Sequence, residues 1–347
     1  MLLSSCQGTE DHQGNVIYVD AIPPVDTLYG RKISLEPELL NVRDLVVLDD
    51  EYLIIAEERE DEIFKVFRLP DMEFLYSWGR KGEGPGEIPT QLVDRGIIGV
   101  SDRQLVLYAM GVVSLFTFQV SDTAMTFLDR EMIMYDGMQN PFLNRLTRLN
   151  DSTYIAVYGS GLTELYAEED LIALEPGNRT PLFTFGAFPE TDLTGREQVM
   201  ATTKALAAKP NGSRLIAFYV SQQFFRIYNG RGELIREVHI NEDPEMGTTY
   251  VGIVPSYRGF NRATENFIYV RGSLWSNSSR GQNSSTRTLE IWRWDGTPYQ
   301  RFFWDPDLKF SSASTFTVSD RYNRLYAIVI EDELGGELGL YEFDLGQ

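Results

Sequence analysis

Four basic residues recur at nearly the same place in a repeated sequence pattern. Each lies six or seven positions before an Asp or Asn of a predicted turn, and the four are Arg43, Arg95, Arg145 and Lys204. If equivalent repeat positions converge, these side chains are candidates for a ligand site whose positive potential would attract a small anion or an acidic peptide. The alternative is that each cation pairs with a local acid such as Asp44 or Asp94. The spacing leaves both interpretations open.

The residue types that metal or nucleophilic chemistry needs are scarce. The chain has one cysteine, Cys6, and two histidines, His12 and His239. These are too few for a Cys/His zinc site, a disulfide or a histidine-based triad, and no Gly-x-Ser-x-Gly motif is present. We therefore predict no metal site, no cofactor and no catalytic residue of these kinds. The 51 acidic residues leave one catalytic alternative, a hydrolase or lyase that uses carboxylates with or without a divalent ion.

A polar segment from Ser273 to Thr286 interrupts the repeat around a single tryptophan, Trp275. Loops longer than about 12 residues inside a compact domain are usually functional or disordered. The Ser- and Asn-rich composition favours disorder, whereas Trp275 favours contact with a ligand. We predict a long loop here and retain Trp275 as a ligand-binding candidate.

The overall charge excludes several classes of partner. Asp and Glu number 51 against 31 Lys and Arg, which gives a net charge of -20. A field of that sign repels nucleic-acid backbones and anionic lipid surfaces, so we predict binding to neither. No run approaches the 18 apolar residues that a membrane-spanning helix needs.

The first residues suggest attachment to a membrane by another route. Leu3-Ser4-Ser5-Cys6 resembles the lipobox of bacterial lipoproteins, in which the cysteine thiol carries a lipid. A complete signal has a basic region and an apolar stretch of about 7 to 15 residues before the small residues of that motif, and here only Met1 to Leu3 precede them. We expect residues 1–15 to be a truncated signal and tether, with Cys6 lipidated. The expected location is the cell envelope, either periplasmic or surface-facing, with the anchor as the only membrane contact.

The elements that would position these residues form a repeat of about fifty residues. Polar turn signals separate pairs of β-like runs, as expected for hairpins. They are Asp49-Asp50, Ser101-Asp102, Asn150-Asp151, Pro210-Asn211-Gly212 and Ser319-Asp320. A second hairpin follows in several units, with turn pairs such as Asn229-Gly230 and Asp295-Gly296. Four antiparallel strands per unit predict the blade of a β-propeller.

Six such units are predicted: Arg43–Trp78, Gly96–Met134, Arg145–Phe185, Lys204–Ile240, Val251–Trp304 and Ser314–Phe343. In the fifth, the first hairpin is assigned to Gly252–Tyr257 and Asn266–Val270. The last unit has only three clear strands, and Val16–Asp20 is a strand without a unit. Because closure removes an open sheet edge, we predict that Val16–Asp20 completes the last blade. The fold class is an all-β, six-bladed β-propeller formed by residues 16–347 as one domain.

Two segments carry a resemblance to known proteins. The run Phe67–Gly79 and the loop Gly82-Glu83-Gly84-Pro85-Gly86-Glu87 resemble the TolB-like and NHL-like six-bladed propeller lipoproteins of Gram-negative bacteria. The resemblance extends over nearly the whole chain and implies a fold more than a function. It implies a binding or scaffold protein, although some six-bladed relatives are lactonases or lyases with a metal or a His-rich centre. This chain departs from that pattern.

The function predicted from these observations is binding. We expect a lipid-anchored propeller that binds a protein, peptide or glycan, with an anionic ligand favoured, at the mouth of its central channel. The predicted contacts are the four recurring cations and Trp275. A propeller hydrolase or lyase is the alternative, and the sequence indicates no oligomeric state.

Overall fold

The computed structural model describes residues 15–58, 61–84, 87–88, 96–136, 146–157, 169–188, 203–241, 249–251, 254–256, 258–277, 283–308, 315–331 and 338–346. Within these ranges the chain is almost entirely β-strand, with one 3-10 turn at Met110–Val112. No helix in this part of the chain is long and apolar enough to cross a membrane.

The amino-terminal segment supplies three short strands, β1 (Val16–Asp20), β2 (Asp26–Leu28) and β3 (Arg31–Ile33). Three four-stranded blades follow. Blade 1 has β4 (Val42–Leu48), β5 (Tyr52–Glu57), β6 (Asp61–Arg68) and β7 (Glu73–Arg80). Blade 2 has β8 (Ile97–Ser101), β9 (Gln104–Ala109), β10 (Ser114–Val120) and β11 (Met125–Met132). Blade 3 has β12 (Thr147–Arg148), β13 (Tyr154–Val157), β14 (Glu169–Leu174) and β15 (Phe183–Ala187).

The remaining strands form three blades and a small hairpin. Blade 4 has β16 (Lys204–Ala208), β17 (Arg214–Tyr219), β18 (Phe224–Asn229) and β19 (Leu234–Asn241). The hairpin pairs β20 (Thr249–Val251) with β21 (Val254–Ser256). Blade 5 has β22 (Arg258–Ala263), β23 (Phe267–Asn277), β24 (Asn283–Arg293) and β25 (Pro298–Trp304). Blade 6 has β26 (Phe316–Ser319), β27 (Arg324–Ile330), β28 (Leu338–Asp344) and, as its fourth strand, β3.

The six blades form a closed ring. The inner strands contact one another in the order β4, β8, β12, β16, β22 and β26, and β26 returns to β4. Successive side chains of a strand point to opposite faces of the sheet, and apolar side chains occupy both faces of every blade. Six buried clusters of the described residues each fill one gap between neighbouring blades. The core is therefore distributed around the ring between the sheets.

The predicted architecture is confirmed: the protein is an all-β propeller of six antiparallel blades. The inner hairpins have the predicted positions, for example Leu45–Leu48 with Tyr52–Ala56. The turn acids also connect the blades. Ser319 Oγ donates to Asp50 Oδ1 at 2.6 Å, and Asn266 Nδ2 donates to Asp320 Oδ2 at 3.1 Å. At these two interfaces a polar turn residue hydrogen-bonds to the turn of the neighbouring blade.

The strand that closes the last blade is not the predicted one. An amino-terminal strand does complete blade 6, but that strand is β3, which pairs antiparallel with β28. The predicted strand, Val16–Asp20, is β1, and it runs parallel to β19 as a fifth strand of blade 4. Similarly, β2 runs parallel to β25 as a fifth strand of blade 5. Residues 15–33 thus form a strap across the outer edges of blades 4, 5 and 6.

Blade 5 also differs from its prediction. Its inner strand is β22, Arg258–Ala263, and not the predicted Gly252–Tyr257. The predicted loop Ser273–Thr286 consists largely of strand. β23 and β24 pair without a register shift from Phe267↔Arg293 to Asn277↔Asn283.

Candidate functional site

The strand directions place the two described cations, Arg43 and Lys204, on one face of the ring. We call this the upper face: there each inner strand begins, each second strand ends and each third strand begins, because the strands alternate in direction. Lys204 is the first residue of β16, and Arg43 is the second residue of β4. Arg95 and Arg145 lie outside the described residues, as does Cys6. No ligand contact by any of these residues is tested, so their role stays a prediction.

Both described cations have carboxylate partners on the upper face. The Arg43 guanidinium is paired with Glu58, just after β5, and its side chain is 32% exposed. Lys204 Nζ lies 2.7 Å from Asp170 Oδ2 of blade 3, and both side chains are fully buried. For these two positions the structure contains the local ion pairs that were the alternative to a basic ligand site.

Lys204 belongs to a larger buried network between blades 3 and 4. Tyr219 Oη donates to Asp170 Oδ2 at 2.9 Å, and Arg226 Nη1 donates to Tyr219 Oη at 3.1 Å. Burial raises the pKa of Asp170 even though Lys204 and Tyr219 lower it. Burial and the charge of Asp170 raise the pKa of Tyr219 well above its ordinary value. The network therefore fixes the blade 3–4 interface with Tyr219 protonated.

Two arginines that sequence reasoning missed lie on the inner strand of blade 5. Arg258 is the first residue of β22, the position that Lys204 has in β16, and Arg262 follows four residues later. The rule of a cation at the start of an inner strand could have found Arg258. It failed because the strand was assigned several residues too early.

Arg262 closes part of the central channel. Its Nη2 lies 2.5 Å from Asp44 Oδ1 on β4, although blade 6 separates blades 5 and 1 around the ring. Arg262 Nε also donates to the Phe316 carbonyl on β26 at 3.2 Å, and Ile97 N of β8 donates to Asp44 Oδ2 at 3.2 Å. This ion pair joins the inner strands of four blades: 1, 2, 5 and 6.

Arg258 forms a buried cluster with Glu290 and Arg301. Arg258 Nε lies 2.7 Å from Glu290 Oε2, and Arg301 Nη2 lies 3.2 Å from Glu290 Oε1. Burial would raise the pKa of Glu290, but the two guanidinium groups outweigh it and hold that pKa below its usual value. The cluster lines a small cleft, partly open to solvent, that Ala21 and Ile22 of the strap border.

Two further arginines lie on the other face of the blade 5 sheet. Arg271 pairs across the strands with Leu289, and Arg287 precedes Leu289 by two positions, so both lie on the face that packs towards blade 6. Burial and the charge of nearby Arg287 lower the pKa of Arg271 to about 10. Burial also lowers the pKa of Arg287. Like charges in a partly desolvated place would be stabilised by an anion.

The ribbon of blade 5 rises directly above these arginines. The inner strand β22 ends its pairing at Arg258↔Gly272, and the outer strand β25 ends at Phe303↔Thr288. Residues 273–277 and 283–287 therefore continue as a two-stranded ribbon, about 15 Å long at the usual rise per residue. Trp275 pairs with Ser285 in this ribbon. Its predicted role as a ligand contact is not tested.

No group of three or more His, Cys, Asp or Glu residues that could hold a metal ion occurs among the described residues.

No protein-family model matches the sequence, and the search of curated proteins gave no match. Solved structures do resemble it. A member of the DUF4221 family from Bacteroides vulgatus superposes with a TM-score of 0.55 at 9% identity, over 92% of this chain and 98% of that one. A streptogramin B lyase has a TM-score of 0.45 at 8% identity, over 92% of this chain and 98% of that one. The Cps50 (Swd1) propeller domain of Myceliophteria thermophila has a TM-score of 0.43 at 10% identity, over 90% of this chain and 99% of that one. At such identities the likeness concerns the fold alone, so this chain is a six-bladed β-propeller that shares its fold with the DUF4221 protein.

Proposed function

We propose that this propeller binds a carboxylate-rich ligand, an acidic peptide segment or an acidic glycan, at the upper face of blade 5. The observation that carries the proposal is the concentration of four arginines in the upper half of one blade, in a protein of net charge -20. They lie on both faces of the sheet and are Arg258, Arg271, Arg287 and Arg301.

The two faces would contribute differently. Arg258 and Arg301 already hold Glu290, which fixes their guanidinium groups in place. Arg271 and Arg287 lie together on the opposite face of the sheet, where they would add two positive charges to the same site. Arginine suits carboxylate recognition because its planar donors match a carboxylate in a bidentate geometry.

The experiment is a thermal-shift titration with two carboxylate polymers, polyglutamate and polygalacturonate. A ligand at a hundredfold its Kd adds about 2.7 kcal/mol of stability, which at this chain length raises the Tm by about 4 °C. We expect at least one polymer to do so, with the shift declining as salt is added. The polymer that acts distinguishes a peptide from a glycan ligand.

A double variant tests the site itself. Arg271→Gln with Arg287→Gln should abolish the shift, and the melting curve of the free variant shows whether it is still folded. The control is Arg231→Gln, an exposed arginine in the turn between β18 and β19 on the opposite face. No shift with either polymer, or a shift that the double variant retains, contradicts the proposal.

We further propose that Cys6 is lipidated and that the propeller is held at the cell envelope by that anchor. The support is the Leu3-Ser4-Ser5-Cys6 motif. Expressed in a bacterium behind a complete lipoprotein signal, the protein should partition into the detergent phase, and its Cys6→Ala variant should stay in the aqueous phase. Equal partitioning of the two proteins would refute the anchor.

A further inference from the structure

A stack of four aromatic rings crosses the face of blade 4 that looks towards blade 3. Tyr18 of the strap stacks on His239 at 5.1 Å between ring centroids, and His239 stacks on Phe224 at 5.4 Å. Phe224 stacks on Tyr219 at 4.4 Å. The stack runs from the buried network at Tyr219 to the outer edge, where Tyr18 is 69% exposed.

The exposure of Tyr18 follows from the unequal number of strands in the two blades. With β1, blade 4 has five strands, whereas blade 3 has four among the described residues, with β15 as its outermost. The fifth strand therefore extends past β15, the outermost described strand of blade 3. On its other face β1 packs into the core: Ile17 and Val19 lie against the apolar cluster shared with blade 5, which also has five strands. The result is a ledge with Tyr18 on its surface.

The ledge is rigid and its remaining groups are polar. His239 Nε2 lies 2.7 Å from Glu237 Oε1, and Glu237 Oε2 accepts from Arg226 Nε at 2.6 Å. Asp20 lies two residues after Tyr18 on β1, and its Oδ1 accepts a hydrogen bond from Asn241 Nδ2 of β19 at 3.2 Å. Tyr18, Asp20, His239 and Asn241 form two cross-strand pairs in register, so they share one face of the sheet.

We infer that this ledge is a binding subsite for a neutral sugar ring. An immobilised aromatic ring offers an apolar face at low entropic cost, and the apolar face of a pyranose fits such a surface. The carboxylates and the amide beside it suit sugar hydroxyl groups, which both donate and accept. The acids Asp20 and Glu237 make the ledge unsuitable for an anionic ligand. It is thus distinct from the arginines of blade 5 and does not depend on the function proposed for them.

The test is affinity electrophoresis through native gels that contain laminarin, xylan or galactomannan. We expect at least one of these polysaccharides to retard the wild type. Tyr18→Phe should keep the retardation, whereas Tyr18→Ala should bind about tenfold more weakly, the order of a single aromatic contact. Tyr29→Ala is the matched control, because Tyr29 is also in the strap and is 71% exposed but belongs to no described ring stack.

Melting curves of the variants separate binding from folding. Tyr18→Ala removes an exposed ring, so its Tm should stay within about 2 °C of the wild type. A wild type that no gel retards, or equal retardation of Tyr18→Ala and Tyr29→Ala, would overturn the inference. Neither result would affect the thermal shifts expected from acidic polymers at blade 5.

Discussion

Replacing Asp44 with alanine is expected to destabilise the ring by about 3–5 kcal/mol, the usual cost of removing one partner of a buried ion pair. Asp44 is 1% exposed, and its carboxylate accepts hydrogen bonds from Arg262 and from backbone N–H groups of two blades. Without it, those donors would remain in the channel without their acceptor. At this chain length the Tm should fall by about 4–7 °C.

Two comparisons make this result specific. Asp71→Ala removes an exposed acid from the turn after β6, and its Tm should be nearly unchanged. Arg262→Met should destabilise less than Asp44→Ala, and the double variant should lose less than the sum of the two, because the residues act on each other. An Asp44→Ala protein as stable as Asp71→Ala would mean that the ion pair does not hold the inner strands together.

Deleting residues 1–33 is expected to have the largest effect of all. It removes β1, β2 and β3 together with their backbone hydrogen bonds and the buried Leu28. At about 1 kcal/mol per hydrogen bond, the loss is on the order of 10 kcal/mol, comparable to the whole stability of a typical domain. The protein should lose its cooperative melting transition and aggregate through the exposed edge of blade 6.

Shorter deletions give the controls. Removing residues 1–14 leaves every described contact in place, so the Tm should not change. Removing residues 1–24 takes away β1 but keeps β2 and β3, and it should cost a few kcal/mol while the ring stays closed. If the deletions to residue 24 and to residue 33 melt alike, β3 is not the strand that closes the ring.

The sequence predicted five of the six inner hairpins because each of these five has a clear turn signal. Asp49-Asp50 and Asp102-Arg103 adopt positive φ angles, and such turns favour Asp, Asn and Gly. The inner strand of blade 5 was missed for a physical reason. Arg258, Asn261 and Arg262 point at neighbouring blades and the channel, so β22 lacks the apolar pattern of a strand and the apolar residues before it were chosen instead.

The strap shows a second limit of sequence reasoning. The alternation in Val16–Asp20 predicted a strand correctly, but every blade edge offers the same unpaired backbone groups, so the pattern does not select an edge. Chain connectivity selects the edge. Only residues 34–41 separate β3 from β4, and β4 belongs to blade 1, next to blade 6. The arginines of blade 5 were hidden for a related reason, because the spacing in the chain does not show that residues on four strands share one end of a sheet.

The proposed binding site can be tested most directly by hydrogen–deuterium exchange with and without the acidic polymer that raises the Tm. This measurement locates the ligand on the unmodified protein. We expect protection from exchange to increase in the peptides that cover β22, β23 and β24 of blade 5. Protection in the other blades should change little. Protection confined to other blades, or no change at a polymer concentration that raises the Tm, would contradict the proposal.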